Sequence, residues 1–318
     1  MDNVIFIAWN KYHTRNDSVS RQLNIKSYHI GKNQKNRFHS ILSYLIKTIA
    51  TIRIINKEKP KTIIVTNTVF VLPAVCLIIG KIKNIHVVLD THTRGIHNSF
   101  FAYPKCLRVY FARIAALNLV TNTAHFKIVK SWGAKAFVLP DPPLLLAGDS
   151  SKFNVPANRI NICFINTYSE DEPYNEVIAC AGKLKDVNFY ITGNCKDINL
   201  PHLPNLVYTG FLERSKYLAL LSNADILMTL TTRDDTFQCG GNEALSLGKP
   251  LITSDTKMLR AYFHDSCVYV RPVAESIETG IHVMIANINL YKERIKKLLM
   301  QAEFESDLRI TSLKKLLV

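Results

Sequence analysis

The sequence predicts an α/β protein built from two doubly wound, Rossmann-like parallel-sheet domains facing a central cleft. Three observations lead there. The chain has 318 residues, which suits two domains of roughly 150 residues each better than one. Short β-branched runs alternate with longer amphipathic ones, the pattern of βαβ units. A proline-rich stretch near the middle interrupts the alternation, which then restarts.

In the first half the expected strands are VIFIAW (4–9), KSYHI (26–30), TIIVTN (62–67), IHVVLD (85–90), ALNLVTN (116–122) and AKAFVLP (134–140). Between them a helix is expected over 38–56. Phe38, Ile41, Leu42, Leu45, Ile46, Ile49 and Ile52 recur there at helical spacing. The long apolar run at 62–80 is broken by Asn67, three threonines and Pro73, so it divides into a strand and a helix instead of spanning a membrane.

PDPPLLLAGDSSKFNVPAN (140–158) holds four prolines and a Gly-Asp-Ser-Ser cluster and reads as an interdomain linker. Beyond it the strands are INICFIN (160–166), VNFYITG (187–193), LVYTG (206–210), DILMTL (225–230), KPLITSD (249–255) and CVYVRP (267–272), with helices expected at 173–184, 213–222, 242–248 and 256–262. The chain closes in a helical segment from about Ala274 whose last part is basic. The expected division is 1–150, 151–290 and a basic helical tail at 291–318. In open sheets of this kind ligands bind beyond the strand carboxyl ends.

The formal net charge of +15 is unevenly placed: residues 1–150 carry 21 Lys/Arg against 6 Asp/Glu, and 151–318 carry 19 against 19. The basic half points to an anionic partner, whether nucleic acid, a membrane surface or a phosphorylated acceptor, with a merely solvated surface as the alternative. Seven scattered cysteines without a CxxC or paired-His spacing argue against a zinc site and fit a reducing, cytoplasmic setting. The start MDNVIFIAWN runs straight into a strand and lacks the features of a signal peptide.

The segment TRDDTFQCGGNEALSLGKPLITSD (232–255) leaves the carboxyl end of an expected buried strand. Gly240 and Gly241 let backbone amides approach a ligand there. Asn242 can start the following helix, whose free N–H groups and dipole favour an anion such as a diphosphate. Glu243 in that first turn is equally consistent with a plain helix-end acid.

Asp235, seven residues and Glu243, followed by Ala244 and Gly248-Lys249-Pro250, resemble the E-x7-E signature of GT-B glycosyltransferases, especially the group-1, family-4-like enzymes. The first acid is Asp instead of Glu, and Cys239-Gly240-Gly241 replaces the usual Phe-Gly-small pattern. The resemblance extends to Thr192-Gly193-Asn194 and to GFL…YLALLSNADI at 210–226. It implies that Asp235 lies against the donor sugar, that the amides of 240–242 hold the diphosphate, and that Glu243 takes the ribose hydroxyls. It also implies a metal-independent, retaining sugar transfer from a UDP- or GDP-linked donor, with no cofactor beyond that co-substrate. The acceptor would be a glycan or lipid-linked, in cell-surface polysaccharide synthesis, with 1–150 as acceptor domain and 151–290 as donor domain.

The family often carries an Arg and a Lys after the first strand of its second domain, but here that loop reads NTYSEDEPYNE, with four acids and no base. Lys196 and Arg214, each just past a strand carboxyl end, are the replacement candidates. The acids of the loop are alternatively placed to recognise sugar hydroxyls.

In the basic half, Asp90, His92 and Arg94 follow a buried strand, which raises their functional weight. By the resemblance His92 contacts the sugar or handles a proton, with Asp90 as its orienter. Asn10, His13 and Arg15 follow the first strand, and Arg15 suits an acceptor phosphate. NSFFAYPKCLRVYFAR (98–113) interleaves aromatics with bases, which suits an anionic membrane interface at the inner face of the cell membrane or single-stranded nucleic acid, unless its aromatics pack inward. The competing functions are a nucleic-acid-binding protein, although no helix-turn-helix, RNP or zinc pattern is present, and a GT-B epimerase or inactive partner subunit.

Overall fold

The structure, a computed structural model, describes the chain apart from residues 1–2, 11–13, 32–38, 93–94, 97–103, 145, 147–148, 197, 235 and 318, with backbone alone at 14 and 39–41. Asp235, His13 and Arg94 therefore lie outside the described residues. The chain forms two compact units, residues 1–142 with 304–318 and residues 143–303.

The first unit holds β1 (Val4–Ala8), β2 (Lys26–His29), β3 (Thr62–Thr66), β4 (His86–Thr91), β5 (Leu117–Val120) and β6 (Ala136–Val138), all parallel in the order β2-β1-β3-β4-β5-β6. The reversal of strand order at β1/β3 is the topological switch at which such sheets bind ligands. Strands β1 and β3 are buried throughout, as a sheet covered on both faces requires. One face packs Ile5, Ile7, Ile63 and Val65 against helices Val71–Lys83 and Lys105–Ile114 and against Ile55 of helix His39–Glu58. The other packs Val4, Phe6 and Ala8 against Val19 and Leu23 of helix Thr14–Leu23.

That second face also takes Ile310, Leu313 and Leu317 from the last helix, Ile288–Leu317. The expected division at 150/151 with a separate basic tail is corrected here. The helix carries apolar residues at helical spacing amid its bases, and burying them against β1 and β3 returns residues 304–318 to the first unit.

The second unit holds β7 (Ile160–Phe164), β8 (Val187–Thr192), β9 (Leu206–Gly210), β10 (Ile226–Thr229), β11 (Leu251–Ser254) and β12 (Val268–Val270), parallel in the order β12-β11-β10-β7-β8-β9. Much of the expected linker belongs to this unit. The Leu144 amide donates to Ser246 Oγ at 2.8 Å, and Asn223 Nδ2 donates to the carbonyls of Ser150 and Phe153 at 2.8 and 2.7 Å.

One expectation fails in detail. The helix after β10 runs Cys239–Ser246, so it starts three residues before Asn242, which is buried inside it and is not its cap. Gly240 and Gly241 lie in its first turn, where a Cβ at Gly240 would sit 2.9 Å from Ile165 Cγ2 and one at Gly241 would sit 3.1 Å from Phe263 Cζ. Close packing of the helix start on the strand ends overrides the poor helix propensity of glycine. The expected helix over 38–56 forms as His39–Glu58. Its apolar stripe, on the general rule core-facing, is turned outward: Leu42, Leu45, Ile46 and Ile49 are 49–59% exposed, while Ser43 and Thr51 are buried.

Candidate functional site

In the first unit the candidates converge on one buried carboxylate. Asp90 ends β4 and is 1% exposed, and Arg15, from the first turn of helix Thr14–Leu23, is 3% exposed. Arg15 Nε and Nη2 donate to Asp90 Oδ1 at 3.1 and 3.0 Å, and Nη1 donates to Asp141 Oδ1 at 2.7 Å. His92 Nε2 lies 2.9 Å from Asp90 Oδ2. Burial alone would raise the Asp90 pKa, but Arg15 and His92 together outweigh it and hold the carboxyl well below the usual range. For Arg15 the cost of burial is likewise exceeded by the two carboxylates, which raise its pKa.

The network places His92 against Asp90 and changes the reading of Arg15. Its guanidinium is committed to Asp90 and Asp141, so it is a structural counter-ion and not an open phosphate ligand. Sequence reasoning missed Asp141; the available signal was a carboxylate just past β6, at the sheet end that also holds Asp90. Asn10, past β1, accepts through Oδ1 from His29 Nδ1 at 3.2 Å, and His29 Nε2 meets Asp17 Oδ1 at 3.0 Å.

In the second unit the acid of helix Cys239–Ser246 is also buried. Glu243 is 8% exposed, and Tyr217, from helix Arg214–Asn223, donates its hydroxyl to Glu243 Oε2 at 2.5 Å. Burial raises the Glu243 pKa, and the Tyr217 hydrogen bond and the Arg214 charge counter it only in part. The Tyr217 hydroxyl is pushed well above its usual pKa, first by burial and then by Glu243, so it stays protonated as a donor. Tyr217 was missed; its signal is its place three residues after Arg214 on the same helix face. Arg214 is exposed at the helix start, near enough to act on Glu243.

The loops around this helix are tied down. Gln238 Nε2 donates to the Leu230 carbonyl at 2.8 Å, and Thr229 Oγ1 donates to Gln238 Oε1 at 2.9 Å. Thr231 Oγ1 donates to Asp171 Oδ2 at 2.8 Å, joining the acidic loop after β7 to the loop after β10. Glu172 Oε2 accepts from the Thr167 amide at 2.7 Å, Thr167 Oγ1 at 2.9 Å and the Ser169 amide at 3.0 Å. Asp171 and Glu172 thus hold the loop's own shape. Gly193, past β8, has φ +103°, and a Cβ there would stand 2.5 Å from the Asn166 carbonyl oxygen. Asn194 and Lys196 beyond it are exposed, with the Lys196 amide 3.4 Å from Asn194 Oδ1.

The chain, with its two parallel sheets, matches known structures along nearly their full length. Sucrose-phosphate synthase from Thermosynechococcus elongatus gives a TM-score of 0.69 at 11% identity, over 98% of each chain. Anabaena HepE in complex with UDP-glucose gives 0.68 at 12% identity, over 98% of this chain and 99% of that one. The fold is GT-B.

The GT-B fold is shared with a different activity: UDP-GlcNAc 2-epimerase from Neisseria meningitidis, bound to UDP-GlcNAc, gives 0.64 at 14% identity over 99% of each chain. No family model and no curated protein sequence matches the chain. In this GT-B chain Glu243 sits one turn into the helix after the fourth strand of the second unit. Asp90 and His92 sit at the end of the fourth strand of the first.

Proposed function

We propose that the protein is a glycosyltransferase that moves a sugar from a nucleotide-diphosphate-sugar donor to a glycan or lipid-linked acceptor. The observation that carries this reading is the buried Glu243, held by Tyr217 one turn into a helix whose first turn is Cys239-Gly240-Gly241. A carboxylate so placed accepts vicinal hydroxyls of a ribose, while amides of the same helix start face a diphosphate. Arg214, exposed at a neighbouring helix start, supplies positive charge for the phosphates that the acidic loop after β7 does not, and Lys196 is the second such base. Gly193 and Asn194 line the donor from the end of β8, and Asp235 meets the sugar.

In the first unit, His92 contacts the transferred sugar or handles a proton, and buried Asp90 fixes its ring. Asn10, His13 and Arg94 contact the acceptor. Transfer is retaining and needs no metal or other cofactor, the UDP- or GDP-sugar being co-substrate, and the setting is cell-surface polysaccharide synthesis at the cytoplasmic face of the membrane.

Donor hydrolysis and nucleotide binding measured with UDP-, GDP- and ADP-sugars test the reading. Turnover of one donor that is lost in Glu243→Gln is expected, and no binding of any would overturn it. The likeness to a UDP-GlcNAc 2-epimerase favours a second reading, sugar-nucleotide epimerisation. It predicts an epimeric nucleotide sugar formed without acceptor, where the transferase gives only hydrolysis.

A further inference from the structure

The outward stripe of helix His39–Glu58 has no role in the site described above. Leu42, Leu45, Ile46, Ile49 and Ile52 are 39–59% exposed, while the side turned inward is formed by Ser43, Thr51 and Ile55. Thr51 is held there, accepting from Trp9 Nε1 at 2.9 Å and donating to the Lys47 carbonyl at 2.8 Å. The rotation of the helix is therefore fixed by packing, and the five aliphatic side chains face away from the sheet.

The neighbouring helices continue the same surface. Helix Val71–Lys83 packs beside it on the same sheet face and exposes Ile78 at 61% and Ile82 at 77%. Helix Lys105–Ile114, next in turn, exposes Tyr110 and Ile114. Exposed bases stand among them: Arg53, Lys57, Lys81, Lys83, Lys105 and Arg113. The one carboxylate on the three helices is Glu58, which is bound to Lys26 Nζ at 2.6 Å. Exposed large apolar side chains clustered on three adjacent helices of one unit mark an interaction site.

We propose that this three-helix face docks the protein onto an anionic lipid bilayer, with helix His39–Glu58 lying in the plane of the interface. The chemistry selects this occupant. Aliphatic side chains enter the acyl boundary while Lys and Arg reach the headgroups, the pairing that holds interfacial helices. Nearly unopposed positive charge attracts anionic lipid within a Debye length of the surface. A second copy would set the same bases against each other. Nucleic acid offers stacking bases, whereas the exposed side chains of this face are Leu and Ile with Tyr110 as their one exposed large aromatic among the described residues. No described helix is long and apolar enough to cross a membrane, so contact is lateral. The face lies within the first unit and does not depend on how the donor site is read.

Vesicle flotation of the full chain tests this, with phosphatidylcholine alone and with a third of it replaced by phosphatidylglycerol. Binding to the anionic vesicles is expected, weakening as salt is raised. The Leu45→Glu/Ile49→Glu variant, altered only at exposed positions, is expected to lose at least about tenfold in binding with an unchanged circular dichroism spectrum and nucleotide affinity. Lys81→Glu/Lys83→Glu is expected to lose the preference for anionic vesicles. Failure of the wild type to float with anionic vesicles, or equal flotation of Leu45→Glu/Ile49→Glu, would overturn the proposal. So would a vesicle-independent dimer, or binding to a random oligonucleotide, that the same pair of substitutions abolishes.

Discussion

The hydroxyl of Tyr217 donates to Glu243 Oε2 at 2.5 Å, joining the helix after β9 to the helix after β10 through a buried carboxyl. Because burial dominates, the Glu243 pKa is raised. A carboxyl raised in the fold contributes stability that is present below its unfolded pKa and lost as pH rises through the folded value. At neutral pH Glu243→Gln is therefore expected to leave the melting temperature unchanged or raise it, while weakening UDP or GDP binding about 10- to 100-fold, the worth of a hydrogen bond to a charged acceptor. A stable variant with wild-type affinity by calorimetric titration would remove Glu243 from the ribose site.

Tyr217→Phe makes a complementary prediction. The lost hydrogen bond is one of the two influences that lower the Glu243 pKa, so the titration moves further up. Nucleotide affinity, which requires the ionised acceptor, is expected to rise with pH in the wild type and to reach its plateau at a higher pH in Tyr217→Phe. Superimposable affinity–pH curves would count against the coupling.

Asp90 has the opposite sign. Its folded pKa is depressed, so it contributes stability present above the unfolded value of about 3.9 and lost as pH falls toward the folded one. Asp90→Asn leaves Arg15 buried with Asp141 alone and is expected to cost about 3–5 kcal/mol in urea unfolding at pH 7. The gap from wild type is expected to narrow below pH 4, roughly where the free carboxyl titrates.

His92 separates activity from stability. Its side chain is 18% exposed, and its loss leaves the Arg15–Asp90 pair intact. His92→Ala is expected to lower transfer about 100-fold or more with little change in melting temperature. A variant that transfers normally would assign the ring a structural role only.

Gly193→Ala tests the loop that follows β8. The backbone is left-handed there, and the added carbon meets the Asn166 carbonyl oxygen at 2.5 Å, so the backbone itself must shift. A loss of about 1–3 kcal/mol is expected in chemical unfolding, together with weaker nucleotide binding. A stable variant with full affinity would show that the loop tolerates displacement.

The twelve strands of the described residues were legible as segments from residues 4–9 to 267–272, because strand identity rests on local β-branched runs and on the turns that bound them. The short helix that carries Glu243 was legible too, though it starts three residues earlier than expected. Tyr217 was not, because it meets Glu243 from 26 residues away.

Three matters were decided only by tertiary structure. Arg15 has the sequence context of an exposed loop base, yet pairing with Asp90, 75 residues on, and with Asp141 turns it into a buried counter-ion. Periodicity gave helix 38–56 an apolar stripe but not its direction, which the packing of Thr51 and Ile55 fixed outward. The basic tail carried apolar positions whose partners, Val4 and Phe6, stand some three hundred residues earlier. Local sequence sets which elements form; the pairing of charges and apolar faces across the chain sets which side chains are available for chemistry.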